Sequence, residues 1–296
     1  MGAVKKESGL AGEIARQPEL WIEAGRLAES VPLPWHGEHV AIVGCGSSGY
    51  VARCAAALRE ASGAGETDSY VPGDFPVGRA YDAVIAISRS GTTTEVVSLL
   101  DSLPPGLDSY ALTIVPGSPV GKAAKKAVVL DFVKEESVVQ TGSATSVVAL
   151  FRVLAGHDIE AAALVARRAH AMGAPVCVDL VERHVFLGSS WYFGLAEEAA
   201  LKLREAAGAW AEAYPDAEYL HGPRSASDTA TMCWAVGPVS ESVLAAAAGA
   251  GNVVVPSLGD PMADLVRAQL AAVHIAAGRG RDPANPPWLS YSVILD

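Results

Sequence analysis

Residues 82–97, D-A-V-I-A-I-S-R-S-G-T-T-T-E-V-V, gather Ser88, Ser90, Thr92 and Thr93 around Gly91, with Arg89 among them. The run before them, 83–87, is apolar and β-branched, the pattern of a buried strand. The run after them is helical. Thr93 or Thr94 can cap it, Glu95 falls in the first turn, where the dipole favours a carboxylate, and Val96, Val97, Leu99 and Leu100 supply an apolar face. A strand that stops in such a turn and continues as a helix collects backbone N–H groups, hydroxyls and a dipole around one small anion; the ligand that suits it is a phosphate group.

A second turn of the same kind, G-C-G-S-S-G at 44–49, lies between an expected strand at 39–43 and an expected helix at 50–62 carrying Val51, Cys54, Ala55 and Leu58 on one side. It also matches the dinucleotide fingerprint G-x-G-x-x-G. That fingerprint needs an acidic ribose partner at the end of the next strand, whereas Glu66 and Asp68 read as part of a loop before it. Ser47 and Ser48 add donors that a compact phosphomonoester can use, so the phosphate expectation extends to this turn.

The chain must position these turns on a sheet. Its 296 residues, 50% hydrophobic, suffice for one large α/β domain or two smaller ones. Lys+Arg 22 against Asp+Glu 33 leaves −11, which disfavours nucleic acid and provides no polybasic patch for an anionic membrane. No apolar run approaches the roughly 20 residues of a membrane span. The first eight residues lack a signal-peptide core, and Lys6 stands where a myristoylation signal needs Ser or Thr. Cys45, Cys54, Cys177 and Cys233 are scattered without metal-ligand spacing. The expectation is a cytoplasmic protein without metal or cofactor.

In chain order, 12–29 reads as an amphipathic helix with Pro18 near its first turn, forming an arm at 1–34. Strands follow at 109–115 and 127–132 with a short helix at 119–126, and a long helix opens at 135–145 and runs to 154. The β-α alternation predicts a parallel sheet with helices on both faces. Glu136 and Thr141 stand in the polar opening of the long helix, either facing the phosphate pocket or capping the helix. After a helix at 159–172 the alternation repeats: strand 184–187, turn 188–190, helix 194–210, strand 234–236, helix 242–248, strand 252–256. Gly188-Ser189-Ser190 then matches the first turn, but the counterpart of the hydroxyl cluster, 237–242, ends in Glu241 and Ser242, and Glu241 would repel a phosphate. Only the first half should hold one.

G-C-G-S-S-G followed by I-S-R-S-G-T-T-T-E resembles the phosphate-binding pattern of the sugar isomerase (SIS) domain family. The resemblance spans roughly residues 10–285. It implies two tandem SIS domains, 35–157 and 158–296, each a three-layer α/β/α sandwich with a mainly parallel flavodoxin-like sheet. G-L-A-E-E-A-A-L-K-L-R-E at 194–205 with His221-Gly222-Pro223 resembles the isomerase half of glucosamine-6-phosphate synthase. F-L-G-S-S, E-E-S-V-V-Q-T-G-S-A-T-S and H-G-P-R-S are similar to the tagatose-6-phosphate isomerase and galactosamine-6-phosphate deaminase branch.

By position, the resemblance makes Ser48, Ser88, Ser90 and Thr93 the phosphate ligands, with Ser47 and Arg89 beside them. It places the C1–C2 proton-transfer carboxylate at Glu205 and the ring-opening histidine at His221. Glu198, Lys202 and Glu205 recur at i, i+4 and i+7 and share a helix face. Aldose–ketose interconversion needs a base beside the C1–C2 bond, which a partly desolvated helix carboxylate can supply, and a histidine can carry the ring-oxygen proton. Taken alone, Glu205 could instead be a surface charge paired with Lys202 or Arg204, and His221 a loop residue holding a turn. The aminosugar-synthase branch has a lysine near its end, whereas 281–296 contains none and Tyr291 or a neighbour falls there. The resemblance implies a sugar-phosphate isomerase, with aminosugar-phosphate deamination or non-catalytic phosphosugar sensing as alternatives. It also implies a homodimer in which His221 completes the neighbour's site.

Overall fold

The computed structural model describes residues 9–295; the signal-peptide and myristoylation expectations at 1–8 lie outside them. The elements run α1 (Leu10–Ala15), α2 (Gln17–Ala28), β1 (Val40–Val43), α3 (Ser47–Ala61), β2 (Thr67–Tyr70), β3 (Ala83–Ile87), α4 (Thr94–Ser102), β4 (Asp108–Thr113), α5 (Pro119–Ala123), β5 (Lys126–Val129) and α6 (Gly142–Leu154). They continue as α7 (Ile159–Met172), β6 (Arg183–Gly188), α8 (Phe193–Lys202), β7 (Trp210–Pro215), β8 (Thr231–Ala235), α9 (Glu241–Gly249), β9 (Val253–Val255) and α10 (Pro261–Gly278).

The chain forms two compact units. The first sheet lies in the unit made of 20–134, 143–160 and 290–295. It is parallel throughout, in the order β2-β1-β3-β4-β5. That order reverses direction between β1 and β3, and in such sheets ligands bind where the carboxyl ends of those two strands diverge. Val43 pairs with Ala86, so the turns after β1 and β3 leave the sheet side by side. Ala41, Val43, Val84, Ala86 and Ala111 pack on Val96, Leu99, Leu100 and Val120 to form the core beneath them.

The other unit comprises 9–19, 135–142 and 161–289. Its parallel sheet runs β7-β6-β8-β9, the first order with one strand fewer. The expected α/β class and the repeated alternation are both present.

Several boundaries differ from expectation. The first helix is two, because Pro18 has no N–H and takes the second position of α2, whose first turn leaves N–H groups free. Asp68 is not in a loop: it lies in β2, paired with Ala41, and an edge strand tolerates the polar Thr67-Asp68-Ser69 run. Residues 135–141 are not helical. The Glu135 carboxylate accepts from the N–H and hydroxyl of Thr141 at 2.8 and 3.2 Å, and Glu13 accepts from the N–H groups of Glu136 and Ser137, so side chains take the bonds a helix would have used. The helix expected at 194–210 stops early. Gly208, at φ 59, closes it, and Trp210–Pro215 becomes β7, with Trp210, Glu212 and Tyr214 alternating against Ala211 and Ala213.

Candidate functional site

The turn after β1 is built for close approach. A side chain on Gly44 would meet the Ser48 backbone at 2.6 Å, so the strand enters α3 tightly and brings Ser47 and Ser48, both buried, into the first turn of the helix. Gly46, the residue preceding α3, has no side chain to cap the helix. Burial, reinforced by Glu95, pushes the Cys45 thiol in this turn up to about 11, which leaves it protonated near neutrality. A cavity of about 160 Å³ lined by Gly46, Gly49, Tyr50, Arg53, Ser69, Tyr70 and Val71 opens on the β2 side of the turn.

The turn after β3 coils on itself. Ser88 Oγ lies 3.2 Å from Thr93 Oγ1 and accepts from the Gly91 N–H, and Ser90 Oγ accepts from the N–H and hydroxyl of Thr92 at 3.2 and 3.0 Å. Gly91 has φ 66, and a Cβ there would run into Ser118. Thr93 precedes α4 but its hydroxyl makes no cap; it faces Ser88, so the expected capping role is not seen. Ser88, Arg89 and Ser90 are all buried. The Arg89 guanidinium donates to the Tyr291 carbonyl at 2.6 Å and lies 3.7 Å from the centre of its ring. Ser292 meets Ser90 and Thr92. Tyr291 and Ser292 were not singled out as neighbours of this turn, since nothing in the spacing ties residues two hundred positions apart.

In the other unit, Lys202 ends α8 with its side chain 1% exposed. Its ammonium lies 3.2 Å from Glu198, also 1% exposed, and 2.6 Å from Glu205, 20% exposed. Burial pushes the ammonium down, but Glu198 and Glu205 together outweigh it and leave the pKa raised, so Lys202 is charged at neutral pH. Glu205 sits in a π-turn, Leu203–Ala207, at the end of α8, and is the member of the cluster that reaches solvent. Arg279 closes the turn by donating to the Ala207 and Gly208 carbonyls at 3.0 and 2.9 Å.

His221 is exposed on a short helical turn, Glu218–His221, ahead of Gly222 at φ 144. The loop is pinned by Tyr219, a residue sequence reasoning passed over. Fully buried, Tyr219 shares a 2.6 Å hydrogen bond with Ser227 and donates to Asn252 Oδ1 at 2.9 Å. Glu136 is exposed, and Thr141 is buried with its hydroxyl committed to Glu135. The Glu136 N–H is taken by Glu13 and the Thr141 N–H by Glu135.

The turn after β8, counterpart of the hydroxyl cluster, is filled from within. Asp264 of α10 accepts from the Gly237 N–H at 2.8 Å, the Leu258 N–H at 2.7 Å and the Ser257 hydroxyl at 2.6 Å. Ser240 caps α9. Among the described residues no helix is long and apolar enough to cross a membrane, and no metal-binding cluster of His, Cys, Asp and Glu is found.

No family model matches the chain. A glutamine–fructose-6-phosphate aminotransferase (isomerizing) of Thermus thermophilus is 24% identical over 98% of the chain and 57% of its own length. That of Legionella pneumophila (strain Paris) is 32% identical over 38% of the chain and 23% of its own length. The chain thus spans little more than half of such relatives at most. Among solved structures, glucosamine-6-phosphate deaminase from Thermotoga maritima superposes with TM-score 0.83 at 25% identity, covering 97% of this chain and 100% of that one. The C-terminal domain of glucosamine-fructose-6-phosphate aminotransferase from Francisella tularensis gives 0.77 at 23% identity, covering 96% and 100%. Tagatose-6-phosphate ketose/aldose isomerase from Escherichia coli gives 0.72 at 18%, covering 100% and 98%. The chain has the fold of the phosphosugar isomerases and deaminases.

Proposed function

We propose that this chain is an aldose–ketose isomerase of a phosphorylated sugar or aminosugar, acting by proton transfer through an enediol. The observation that carries the proposal is the buried Glu198–Lys202–Glu205 cluster, in which a charged lysine holds one solvent-reaching carboxylate in place. Glu205 is the base that takes the proton from C2 of the aldose and returns it to C1, or the reverse. His221, on the loop pinned by Tyr219, assists ring opening. The hydroxyls of Ser48, Ser88, Ser90 and Thr93 hold the phosphate, with Ser47 and Arg89 beside them. We further propose that the chain is a tandem pair of SIS domains, 35–157 and 158–296, preceded by the arm at 1–34, and that it works as a homodimer sharing its histidine loops. Hydrolytic deamination of an aminosugar phosphate is the near variant, supported by the likeness to the Thermotoga deaminase.

One observation favours a second reading, a phosphosugar sensor without turnover. Residues 281–296 hold no lysine where the resembling synthases carry one, Tyr291 or a neighbour falling there, and Tyr291 is engaged with Arg89.

The test is solvent deuterium appearing at C2 of an aldose phosphate or C1 of a ketose phosphate. Glu205→Gln keeps size and most hydrogen bonding, so sugar-phosphate affinity should change little while exchange falls roughly 10²–10⁴-fold. Tight binding with no exchange for any epimer would establish the sensor; undiminished exchange in the variant would move the base to another group, with Glu198 and Glu136 next.

A further inference from the structure

The hydroxyl turn after β3 already has an occupant, and it comes from the chain itself. Three oxygens of residues 291–293 meet the turn's donors. The Tyr291 carbonyl accepts from Arg89 Nη2 at 2.6 Å, Ser292 Oγ accepts from Ser90 Oγ at 3.1 Å and lies 2.7 Å from Thr92 Oγ1, and the Val293 carbonyl accepts from the Thr94 N–H at 3.4 Å. The Leu295 N–H donates to Thr94 Oγ1 at 2.9 Å and ties down the far end. A guanidinium, hydroxyls and an N-terminal helix N–H are the donors a phosphate with three terminal oxygens would use. We propose that residues 291–295 are a built-in surrogate ligand, which occupies Arg89 and Ser90 of the phosphate donors together with their neighbours Thr92 and Thr94, and is displaced when a sugar phosphate binds. The inference rests on the phosphate assignment of this turn made above.

The surrogate is made to leave. Its contacting oxygens are two carbonyls and a hydroxyl, all neutral, held chiefly by the Arg89 guanidinium through the Tyr291 carbonyl and ring, whereas a phosphate would make charge-assisted bonds to the hydroxyls and the helix N–H as well as to Arg89. Little apolar burial retains it: Val293, Ile294 and Leu295 are 52%, 69% and 54% exposed. The counterpart turn in the other unit shows the opposite arrangement, since its N–H groups converge on Asp264, a carboxylate fixed on the buried face of a long helix. A charged, anchored occupant shuts that turn, while a neutral, weakly packed one holds the first turn ready for exchange.

The experiment is calorimetric titration of the full chain and of three variants with inorganic phosphate, alongside hydrogen–deuterium exchange of the peptide covering 290–295. Ser292→Ala removes the surrogate's hydroxyl contacts and should tighten phosphate binding roughly fivefold to tenfold. Ser292→Asp sets a carboxylate beside Arg89 and should weaken it at least about tenfold. Phosphate should accelerate exchange at 291–295 in the parent. Unchanged or weaker binding in Ser292→Ala, or slower exchange on adding phosphate, overturns the surrogate, because the segment would then be a wall that the ligand completes. Ser88→Ala separates the two levels. If binding is indifferent to it in both the parent and the Ser292→Ala background, the phosphate assignment fails and the surrogate with it. If binding falls with Ser88→Ala but ignores Ser292, only the surrogate fails.

Discussion

Lys202→Met tests whether the carboxylate cluster is held together as its geometry indicates. The methionine fills similar volume but leaves Glu198, 1% exposed, and Glu205, 20% exposed, without the ammonium that now lies 3.2 and 2.6 Å away. Removing one partner from a buried ion pair costs about 3–5 kcal/mol, because the charge left behind has lost both water and its counterion. Set against a folding free energy of about 5–15 kcal/mol, that is a large fraction. With a urea m-value of about 3 kcal/mol/M, the unfolding midpoint should fall by about 1–2 M with m unchanged. The sign with pH follows from Lys202, whose folded-state pKa is raised: burial opposes the charge, but Glu198 and Glu205 outweigh it. Its stabilisation in the parent is therefore complete below the ordinary lysine value of about 10.4 and is lost only as pH rises through the higher folded-state value. In the variant the deficit should instead shrink toward acid pH, where the stranded carboxyls take up protons. Lys202→Met combined with Glu198→Leu should recover most of the loss, since the fully buried charge is gone and the carboxylate left unpaired, Glu205, is the one that reaches solvent. A Lys202→Met midpoint within about 0.3 M of the parent would refute the reasoning.

His184, buried in β6, accepts from Trp234 Nε1 at 3.3 Å, and burial, reinforced by Arg279, lowers its pKa to about 4. The unfolded chain takes up that proton first, so the parent should lose about 3 kcal/mol as pH falls from about 6.5 through about 4, and His184→Gln should flatten this limb of the stability profile. Asp264 acts in the opposite sense: burial raises it to about 6 despite its three donors, so its contribution is largest below the ordinary carboxylate value and is lost as pH rises through about 6. Asp264→Asn should remove that decline, as read by denaturation between pH 4 and 7. Ser88→Ala combined with Ser90→Ala should weaken sugar-phosphate binding in titration against a panel of sugar phosphates, each lost charge-assisted bond costing roughly 1.5–3 kcal/mol, with the fold retained; equal affinity would place the phosphate elsewhere. Mixing inactive Glu205→Gln with inactive His221→Ala protein should restore part of the turnover if the histidine loop serves a neighbouring subunit, and a chain that sediments as a monomer at assay concentration would rule this out.

The sheet was legible in the sequence where strands are continuous apolar runs. Residues 83–87 and 184–187 announce themselves because central parallel strands are buried on both faces. The half-exposed edges were harder. Thr67–Ser69 read as a loop, the expected helix ran through to Trp210, and no strand was expected at 211–215, because an edge strand needs only one apolar face. The polar stretch at 135–141 has the composition of a helix start, yet Glu135 spends its carboxylate on Thr141 and so ties the backbone into a turn. The local chemistry of the candidate site was visible: glycine turns, hydroxyls, and the i, i+4, i+7 spacing that does bring Glu198, Lys202 and Glu205 together. What comes from afar was not, namely Tyr291 and Ser292 at the hydroxyl turn and Asp264 at its counterpart, because no periodicity links such distant positions.

The two sheets also explain why one chain carrying the same turn twice would bind one phosphate. In both, the turns leave neighbouring central strands at their carboxyl ends, so both have the backbone for an anion site. They differ in how the helix ends are satisfied. α3 and α4 begin without a side-chain cap, at Gly46 and Thr93, and the first N–H of α4 is met by the neutral Val293 carbonyl. α9 begins with Ser240 bonded back to the Val243 N–H, so one of its first donors is met by a side-chain cap that α4 lacks, although both helices carry a carboxylate in the first turn, Glu241 and Glu95. Asp264 then adds a fixed negative charge to the Gly237 N–H. A phosphate entering there would face Glu241 and Asp264 with no guanidinium in that turn, whereas beside β3 the one first-turn carboxylate, Glu95, is offset by Arg89 and the hydroxyls. Strand order makes both crevices; capping and charge decide which one is left for a ligand.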